Sequence, residues 1–524
     1  MEPKATLVKR LQEVTWSSNE GEIARSSAQA LNLRPNMMTQ AAVIQKRVGL
    51  SYWMQEVADQ CEKVLRDFSS DPVHDLRTAL RRCRSIADGV MIFDRHPSWK
   101  KMKRAAKEVF SSLGELRDAQ VMKQWIEELA AESDTAAKIL GDFVVEREQA
   151  VKKTAAETLL HFDCKQWKTW ATELPSRAAR IPAEGPVLAQ LALERWQEAR
   201  DLHHRALRNR TKTSFHDLRI GTKRLRYTVE NFLPSLHEAW GQDLKDVQDL
   251  LGEVHDLDVL WQTALKIKAF PDAESKAWWR SRIEQERAQR VEAYRGKMVG
   301  SNSLWPVWRA ALPQPHELRS LALERLRIWA SLLDPSAAHA RHVADLALQL
   351  YDGMPEDGIL RGSRRETYRA ILRAAALMHD VGRSRTKVGH HKASGRLIRK
   401  LIPPLGWTAD EIRIAALVAR YHRGALPKET QKRFAALPQS KQQLVRLLAG
   451  LLRLACACDQ QHNREIRRVE VEETNPVLTI RAEGYAEYTA KAENLAAARH
   501  LLELACHRAV LILPSGTAAQ AHAA

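Results

Sequence analysis

One thirteen-residue pattern occurs twice in this chain. "VHDLRTALRRCRS" at 73–85 and "FHDLRIGTKRLRY" at 215–227 both open on His-Asp-Leu-Arg and continue as a basic ladder, 142 positions apart. A second block follows each: "LGELRDAQVM" at 113–122 and "LGEVHDLDVL" at 251–260. Two matching blocks in the same order mark an internal duplication. This part of the chain must therefore fold as two related halves.

On a helix of 3.6 residues per turn, His74, Arg77, Arg81 and Arg84 fall within an arc of roughly 80° and span about 15 Å. His216, Arg219, Lys223 and Arg226 repeat that spacing. Stacked like charges cost a few tenths of a kcal/mol per pair unless an anion sits among them. Both stripes are therefore expected to line one cleft that binds a chain of phosphates, which arginine forks grip two oxygens at a time. Asp71 before Pro72, and Ser214 with Asp217 three residues on, predict the helix starts. Those starts place both histidines in a first turn whose free amides favour an anion. Asp75 and Asp217 read as capping or ladder-pairing groups. The alternative is that the ladders pair with Asp118, Asp256 and Asp258; matched spacing in two copies favours the anion.

The bulk numbers fit that reading. The chain has 524 residues and a formal net charge of +18, a surplus that suggests an acidic partner. With 44% hydrophobic and 28% charged residues it reads as a folded protein of two or three domains. No stretch is apolar enough for a membrane span, and "MEPKATLVKRLQEV" lacks a signal-peptide core, so a cytoplasmic location is expected. Six scattered cysteines make no disulfide framework, and the Cys456-x-Cys458 pair has no second pair nearby to complete a zinc site.

Helical periodicity dominates, as in "YWMQEVADQCEKVLRDF". The best strand candidate is "VLTIRAEGY" at 477–485, following "RRVEVEETN". The expectation is an all-α protein with one short C-terminal β-hairpin. Proline-rich breaks at 174–186 and 305–318 divide it. The expected organisation is an extension at 1–40, a duplicated domain at 41–310, a second helical domain at 318–512 and a tail at 513–524. The 15 tryptophans fall mostly at helical spacing and read as core.

The doubled His-Asp-x-Arg motif with its Lys/Arg ladder resembles the CHAD domain, the conserved histidine α-helical domain. The resemblance implies two pseudo-symmetric helical bundles around a basic cavity, with inorganic polyphosphate as ligand. By position the ligand residues are His74, Arg77, Arg81, Arg84, His216, Arg219, Lys223 and Arg226, with Arg82 and Arg224 flanking. The departure is His255, where the first copy has Arg117.

The C-terminal half is densest at "RAAALMHDVGRSRTKVGHHKASGRLI", residues 373–398. Adjacent residues on a helix diverge by about 100°, so His379 and Asp380 reach one metal only at a helix end, which Val381-Gly382 offers. His339 and His342 lie upstream, and Asp459 downstream in "LLRLACACDQQHNR". A mixed nitrogen and oxygen set of this kind suits a divalent metal that activates water at a phosphate. Arg383, Arg385 and Lys387 follow as candidate phosphate contacts.

These residues, with "GHHKASGRLI" and "ARYHRGALP", resemble the HD superfamily of metal-dependent phosphohydrolases. More narrowly, they are similar to the helical C-terminal domain of exopolyphosphatases and guanosine pentaphosphate phosphatases. The resemblance implies His339, His379, Asp380 and Asp459 as metal ligands, with His391 and His422 for a second ion; His390 rivals His391, and His342 reads as packing. His379 and Asp380 would be catalytic, with Mn²⁺, Mg²⁺ or a similar ion as cofactor. No actin-like glycine-rich phosphate loop is found, so any catalysis must come from the HD site itself. The reading is a polyphosphate-binding protein with a metallophosphohydrolase domain acting on polyphosphate or a phosphorylated nucleotide, associated with polyphosphate granules. The alternatives are a polyphosphate tether with a silent HD scaffold and, supported by net charge alone, a nucleic-acid binder.

Overall fold

The computed structural model describes residues 49–474 and 476–515. The extension expected at 1–40 lies outside the described residues. The chain divides into two compact units between Pro313 and Gln314.

The first unit runs α1 (Leu50–Arg66), α2 (Ser70–Val90), α3 (Pro97–Leu129), α4 (Thr135–Leu160), α5 (Cys164–Ala178), α6 (Pro186–Asn209), α7 (Lys212–Phe232), α8 (Pro234–Lys266), α9 (Ala273–Met298) and α10 (Leu304–Ala310). The duplication is visible in the lengths. Both α2 and α7 have 21 residues, α3 and α8 have 33, and α4 and α9 have 26. Within each copy consecutive helices pack together, and α2 meets α7 while α3 meets α8 across the copies.

The buried stripes share a phase. Leu76, Ala79, Leu80, Cys83, Ile86 and Ala87 are buried on α2; Leu218, Gly221, Thr222, Leu225, Thr228 and Val229 are buried at the equivalent positions of α7. Full burial of each leucine stabilises by roughly 1.5–3 kcal/mol. The cationic ladders ride beside these stripes, so the packing that orients one helix fixes the direction of its charges. Beneath the first copy, the Asp94 carboxylate accepts from Trp99 Nε1 at 2.8 Å, from Arg177 Nε and Nη2 at 2.6 and 2.8 Å, and from the His96 amide at 3.1 Å. Burial works to raise its pKa, but these donors outweigh that and hold it below the usual carboxylate range.

The predicted helix starts need correction. The N-caps are Ser69 and Thr211, and Ser214 is the third residue of the α7 capping box rather than its cap. His74 and His216 are thus each the fifth residue of their helices. Their amides have carbonyl partners one turn back, so the free-amide argument for anion binding there fails. The equivalence of the two positions survives.

The second unit comprises α11 (Leu318–Leu333), α12 (Ala337–Asp352), α13 (Arg365–Met378), α14 (His390–Ile398), α15 (Ala409–Tyr421), α16 (Lys432–Ala435), α17 (Gln439–Cys458) and α18 (Ala490–Cys506), with strands β1 (Arg468–Thr474), β2 (Val477–Glu483) and β3 (Ala509–Pro514). Helix α17 is apolar over most of its surface because α12, α15 and α18 surround it. The predicted hairpin is present: β1 and β2 pair antiparallel, Arg468 opposite Glu483. Leu478, Ile480 and Ala482 point inward. Sequence reading missed β3, which pairs parallel with β2 after the α18 crossover. It takes Leu513 and Pro514 from the expected tail; residues beyond Ser515 lie outside the described ones.

Candidate functional sites

In the first unit the two ladders come to one locus. Lys223 is half-buried on α7; burial first, then the positive fields of Arg219, Arg81 and Arg77, lower its pKa to about 7. Asp118 on α3 feels Arg77 from one ladder and Arg219 and Lys223 from the other. Burial lifts the Asp118 carboxyl, and lifts Asp256 on α8 to about 6. Among the described residues neither acid comes within 4 Å of a ladder cation, and Asp258 pairs instead with Lys212 and Arg287, each at 3.3 Å. The pairing alternative is therefore not what the structure shows. The buried Nε donors of Arg81, Arg84, Arg219 and Arg226 have no protein hydrogen-bond acceptor. An N–H held without an acceptor costs about 1–3 kcal/mol, which an anion or water would recover.

Aromatic rings lie beside the three guanidiniums of the first ladder. Arg77 and Arg84 stand 4.7 and 4.8 Å from the centre of the Phe110 ring, and Arg81 lies 5.6 Å from that of Tyr227. His74 is exposed; His216 faces His255 at 5.0 Å between ring centres. Burial, then Arg219 and His216, lower His255 to about 4, so it is a neutral hydrogen-bonding group beside the ladder.

Arg82 and Arg224 do not join the locus. Their positions lie about 120° from the centre of each stripe. Arg82 ion-pairs with Glu230 and donates to Asn231 Oδ1 at 3.0 Å, while Asn231 Nδ2 donates to Ser85 Oγ at 2.8 Å. This braces α2 against α7. Arg224 is exposed and pairs with Glu198 on α6 at 2.5 Å. Arg226 also leans on Glu230, at 3.8 Å.

In the second unit, helix ends converge on one carboxylate. His379 caps the C-terminus of α13, and Asp380 follows before a 3₁₀ turn at Val381–Ser384. His390 opens α14, His422 ends α15, and His339 lies in the first turn of α12. Gly382 makes the convergence possible. A Cβ there would stand 2.1 Å from His390 O and 2.5 Å from Ser394 N, so a side chain would push α14 away. The Gly382 amide donates to Ser394 Oγ at 2.8 Å.

Asp380 Oδ1 lies 3.1 Å from His390 Nε2, 3.8 Å from His379 Nε2 and 3.9 Å from His422 Nε2. The opposite nitrogen of each ring is pinned: His379 Nδ1 to Ala376 O at 2.6 Å, His422 Nδ1 to Ala419 O at 2.7 Å, and His390 Nδ1 to Lys387 O at 3.2 Å. A carbonyl only accepts, so each Nδ1 donates and Nε2 is the ring atom turned toward Asp380. His339 follows the same rule, donating from Nδ1 to Asp459 Oδ2 at 2.7 Å. Burial lowers His339 to about 4 and His422 well below the ordinary histidine value, which keeps both neutral. Burial alone would raise Asp380, but the His390 contact and the cationic neighbours, Arg383 among them, hold it well below the usual carboxylate range.

This arrangement fits a divalent metal. Neutral imidazoles with one nitrogen fixed by an outer acceptor are the usual ligand form. Both Asp380 oxygens and His390 Nε2 are buried without a hydrogen-bond partner. Three overlapping groups have ligand atoms within 4.8 Å of one another: Asp380, His390 and His422; His339, Asp380 and His462; His379, His422 and Cys456. They edge a cavity of about 270 Å³ that Arg383, Arg423 and Arg453 also line.

Five residues singled out in the sequence do not line the cavity. Asp459 is fully buried behind His339, its other oxygen accepting from the Arg464 amide at 2.8 Å. His391 lies beside Gly424 outside the cavity lining, and its neighbour His390 takes the inner position. His342 bonds Ile466 O at 2.9 Å, a packing role. Arg385 and Lys387 are exposed. Sequence reading missed His462, stacked on His339 with ring centres 3.7 Å apart and 4° between planes, and assigned Cys456 no role. His462 and Arg464 both sit at positive φ, 59° and 52°, in a loop that Asp459 holds. Non-glycine residues in that region carry strain that the surroundings must impose.

The family comparisons agree with both halves. Residues 54–265 match the family model of the CHAD domain, and residues 328–499 match that of the Ppx/GppA phosphatase, domain III. The chain is a CHAD domain fused to a Ppx/GppA phosphatase domain III. It matches no curated protein. In the CHAD domain the matched span contains both ladders; in domain III it contains every histidine around Asp380. No helix among the described residues is long and apolar enough to cross a membrane.

Proposed function

We propose that the CHAD domain binds inorganic polyphosphate between its ladders and that domain III is a metal-dependent phosphohydrolase acting on a phosphoanhydride or phosphate ester. The observation that supports the hydrolase half is the ring of histidine rings around Asp380, each held by an acceptor on its Nδ1. His379, Asp380, His390, His422 and His339 would hold the metal, with His462 and Cys456 at its edge. A donor set this rich in nitrogen favours manganese or a similar transition ion over magnesium. What such an ion supplies is polarisation of a phosphoryl oxygen and water made acidic near neutral pH. Arg383, Arg423 and Arg453 place cations where a substrate phosphate would enter, and Arg383 Nε already stands 2.5 Å from Asp380 Oδ2. The CHAD domain would keep the polymer on the same molecule and raise its effective concentration at domain III.

The tether reading has one observation in its favour: the Arg383 guanidinium already pairs with Asp380 and offsets its charge. Metal content of the purified full chain, with phosphate release from polyphosphate under Mn²⁺, separates the two. Bound metal and turnover that His379→Ala abolishes support the hydrolase. Neither metal nor turnover, with polyphosphate still bound, leaves the tether. A nucleic-acid ligand would be indicated instead if duplex DNA displaced polyphosphate at equal phosphate concentration.

A further inference from the structure

Two donor groups share the domain III cavity without sharing a residue: His379, His422 and Cys456, and His339, Asp380 and His462. Within each group the ligand atoms lie within 4.8 Å of one another. Their chemistry differs. The second offers two nitrogens and a carboxylate, the first two nitrogens and a sulfur.

Cys456 reaches the cavity through its place on α17. Cys458, two residues on, is turned by about 200°. It is buried in the apolar core of domain III, the common fate of a free cysteine. Cys456 lines the cavity instead. Arg453, one turn before it, donates from Nη2 to Tyr421 O at 3.0 Å and to Gly424 O at 2.8 Å. Those carbonyls bracket His422, so one guanidinium ties the α17 face bearing the sulfur to the turn bearing the imidazole. His422 and His379 meet edge to face, ring centres 4.9 Å apart. Each has its Nδ1 held by a carbonyl of its own helix, which leaves Nε2 for an ion.

Bonds of about 2.0–2.3 Å in a tetrahedral zinc site put ligand atoms roughly 3.3–3.5 Å apart. A group already within 4.8 Å closes with movements of side-chain size. Arg383, Arg423 and Arg453 line the same cavity, so an ion there needs a negative ligand. Thiolate supplies it in one group, as Asp380 does in the other. Thiolate selects soft ions, and carboxylate suits harder ones such as manganese.

We propose that His379, His422 and Cys456 bind a thiophilic divalent ion such as zinc, its fourth position open to the cavity, beside a harder ion held by Asp380 and the remaining histidines. Sulfur binds as thiolate, so loading releases the Cys456 proton to water and nothing is oxidised. The sulfur ligand presupposes that domain III holds metal at all, as proposed for its hydrolase site.

The test is zinc-edge X-ray absorption of the full-length protein loaded with one equivalent of Zn²⁺. One sulfur neighbour is expected at about 2.3 Å beside nitrogens at about 2.0–2.1 Å. Cys456→Ser should remove the sulfur, and Cys458→Ser should keep it. Losing a direct ligand costs at least as much as losing an outer partner, so Zn²⁺ affinity should fall about tenfold or more in Cys456→Ser. Mn²⁺ affinity should be nearly unchanged. Cys456→Ala gives the same readings if the serine variant does not fold. Zinc with nitrogen and oxygen neighbours only, or sulfur retained without Cys456, overturns the sulfur ligand and leaves the hydrolase reading standing. A protein that binds neither ion overturns both.

Discussion

His339 donates from Nδ1 to the Asp459 carboxylate at 2.7 Å, and both side chains are buried. Asp459 thereby fixes the tautomer that leaves His339 Nε2 facing Asp380, and its second oxygen holds the loop that carries His462. Loss of such an outer partner typically costs 10–100-fold in metal affinity. Asp459→Ala is expected to weaken Mn²⁺ binding by that range in a calorimetric titration. Polyphosphate binding by the CHAD domain should be unchanged.

The CHAD ladders make a quantitative demand on salt. Each cation that neutralises a phosphate contributes a slope of about 0.7 to the fall of log affinity with log salt, taking single-stranded polyanions as the guide. Arg81→Ala with Arg219→Ala should reduce the slope for long-chain polyphosphate by about 1.4 and weaken binding at least tenfold at low salt. Arg224→Ala is the control. Its side chain is exposed and tied to Glu198, so binding should change little.

Lys223 gives the binding a pH signature. Burial and its cationic neighbours set its pKa to about 7 in the free protein. A polyanion between the ladders favours the charged form and raises that value. Between the two values binding takes up a proton, so affinity falls as pH rises above about 7. Lys223→Arg keeps its charge throughout and should flatten affinity between pH 7 and pH 9. A wild-type affinity that rises over this interval would contradict the placement of Lys223 at the ligand.

Much of this was legible because duplication converts spacing into geometry. The stripes at 74–84 and 216–226 gave the helix faces, and the equal lengths of α2 and α7 follow from them. What stayed hidden depended on partners from other elements. Arg82 and Arg224 look like ladder residues until Glu230 and Glu198 draw them aside. His390 and His391 are indistinguishable as letters; the close packing at Gly382 decides between them. His462 lies in "DQQHNR", which has no periodicity to read, and its place is set by hydrogen bonds to Asp459. The helix starts were misplaced by a few residues because Asp71-Pro72 and Ser214 imitate caps inside a first turn that begins at Ser69 and Thr211.

Asp94 tests the CHAD scaffold apart from its ligand. Its carboxylate is 2% exposed and serves four donors, including both prongs of Arg177. Removing it leaves Arg177 and Trp99 Nε1 without their acceptor. Breaking a buried pair of this kind costs about 3–5 kcal/mol. Asp94→Ala should lower the urea midpoint of the CHAD transition while the domain III transition keeps its position.

Gly382 is where the metal site is most exposed to a single methyl group. A Cβ at that position meets the His390 carbonyl and the Ser394 amide, both backbone, so neither can swing aside as a side-chain tip would. Helix α14 must then shift, and His390 moves with it. The same shift breaks the Gly382 amide's bond to Ser394 Oγ. Overpacking of this kind costs about 1–3 kcal/mol. Gly382→Ala is therefore expected to lower the melting temperature of domain III modestly and to reduce its metal affinity by more than that stability loss implies. Full metal affinity in a folded Gly382→Ala protein would show that His390 does not belong to the ligand set.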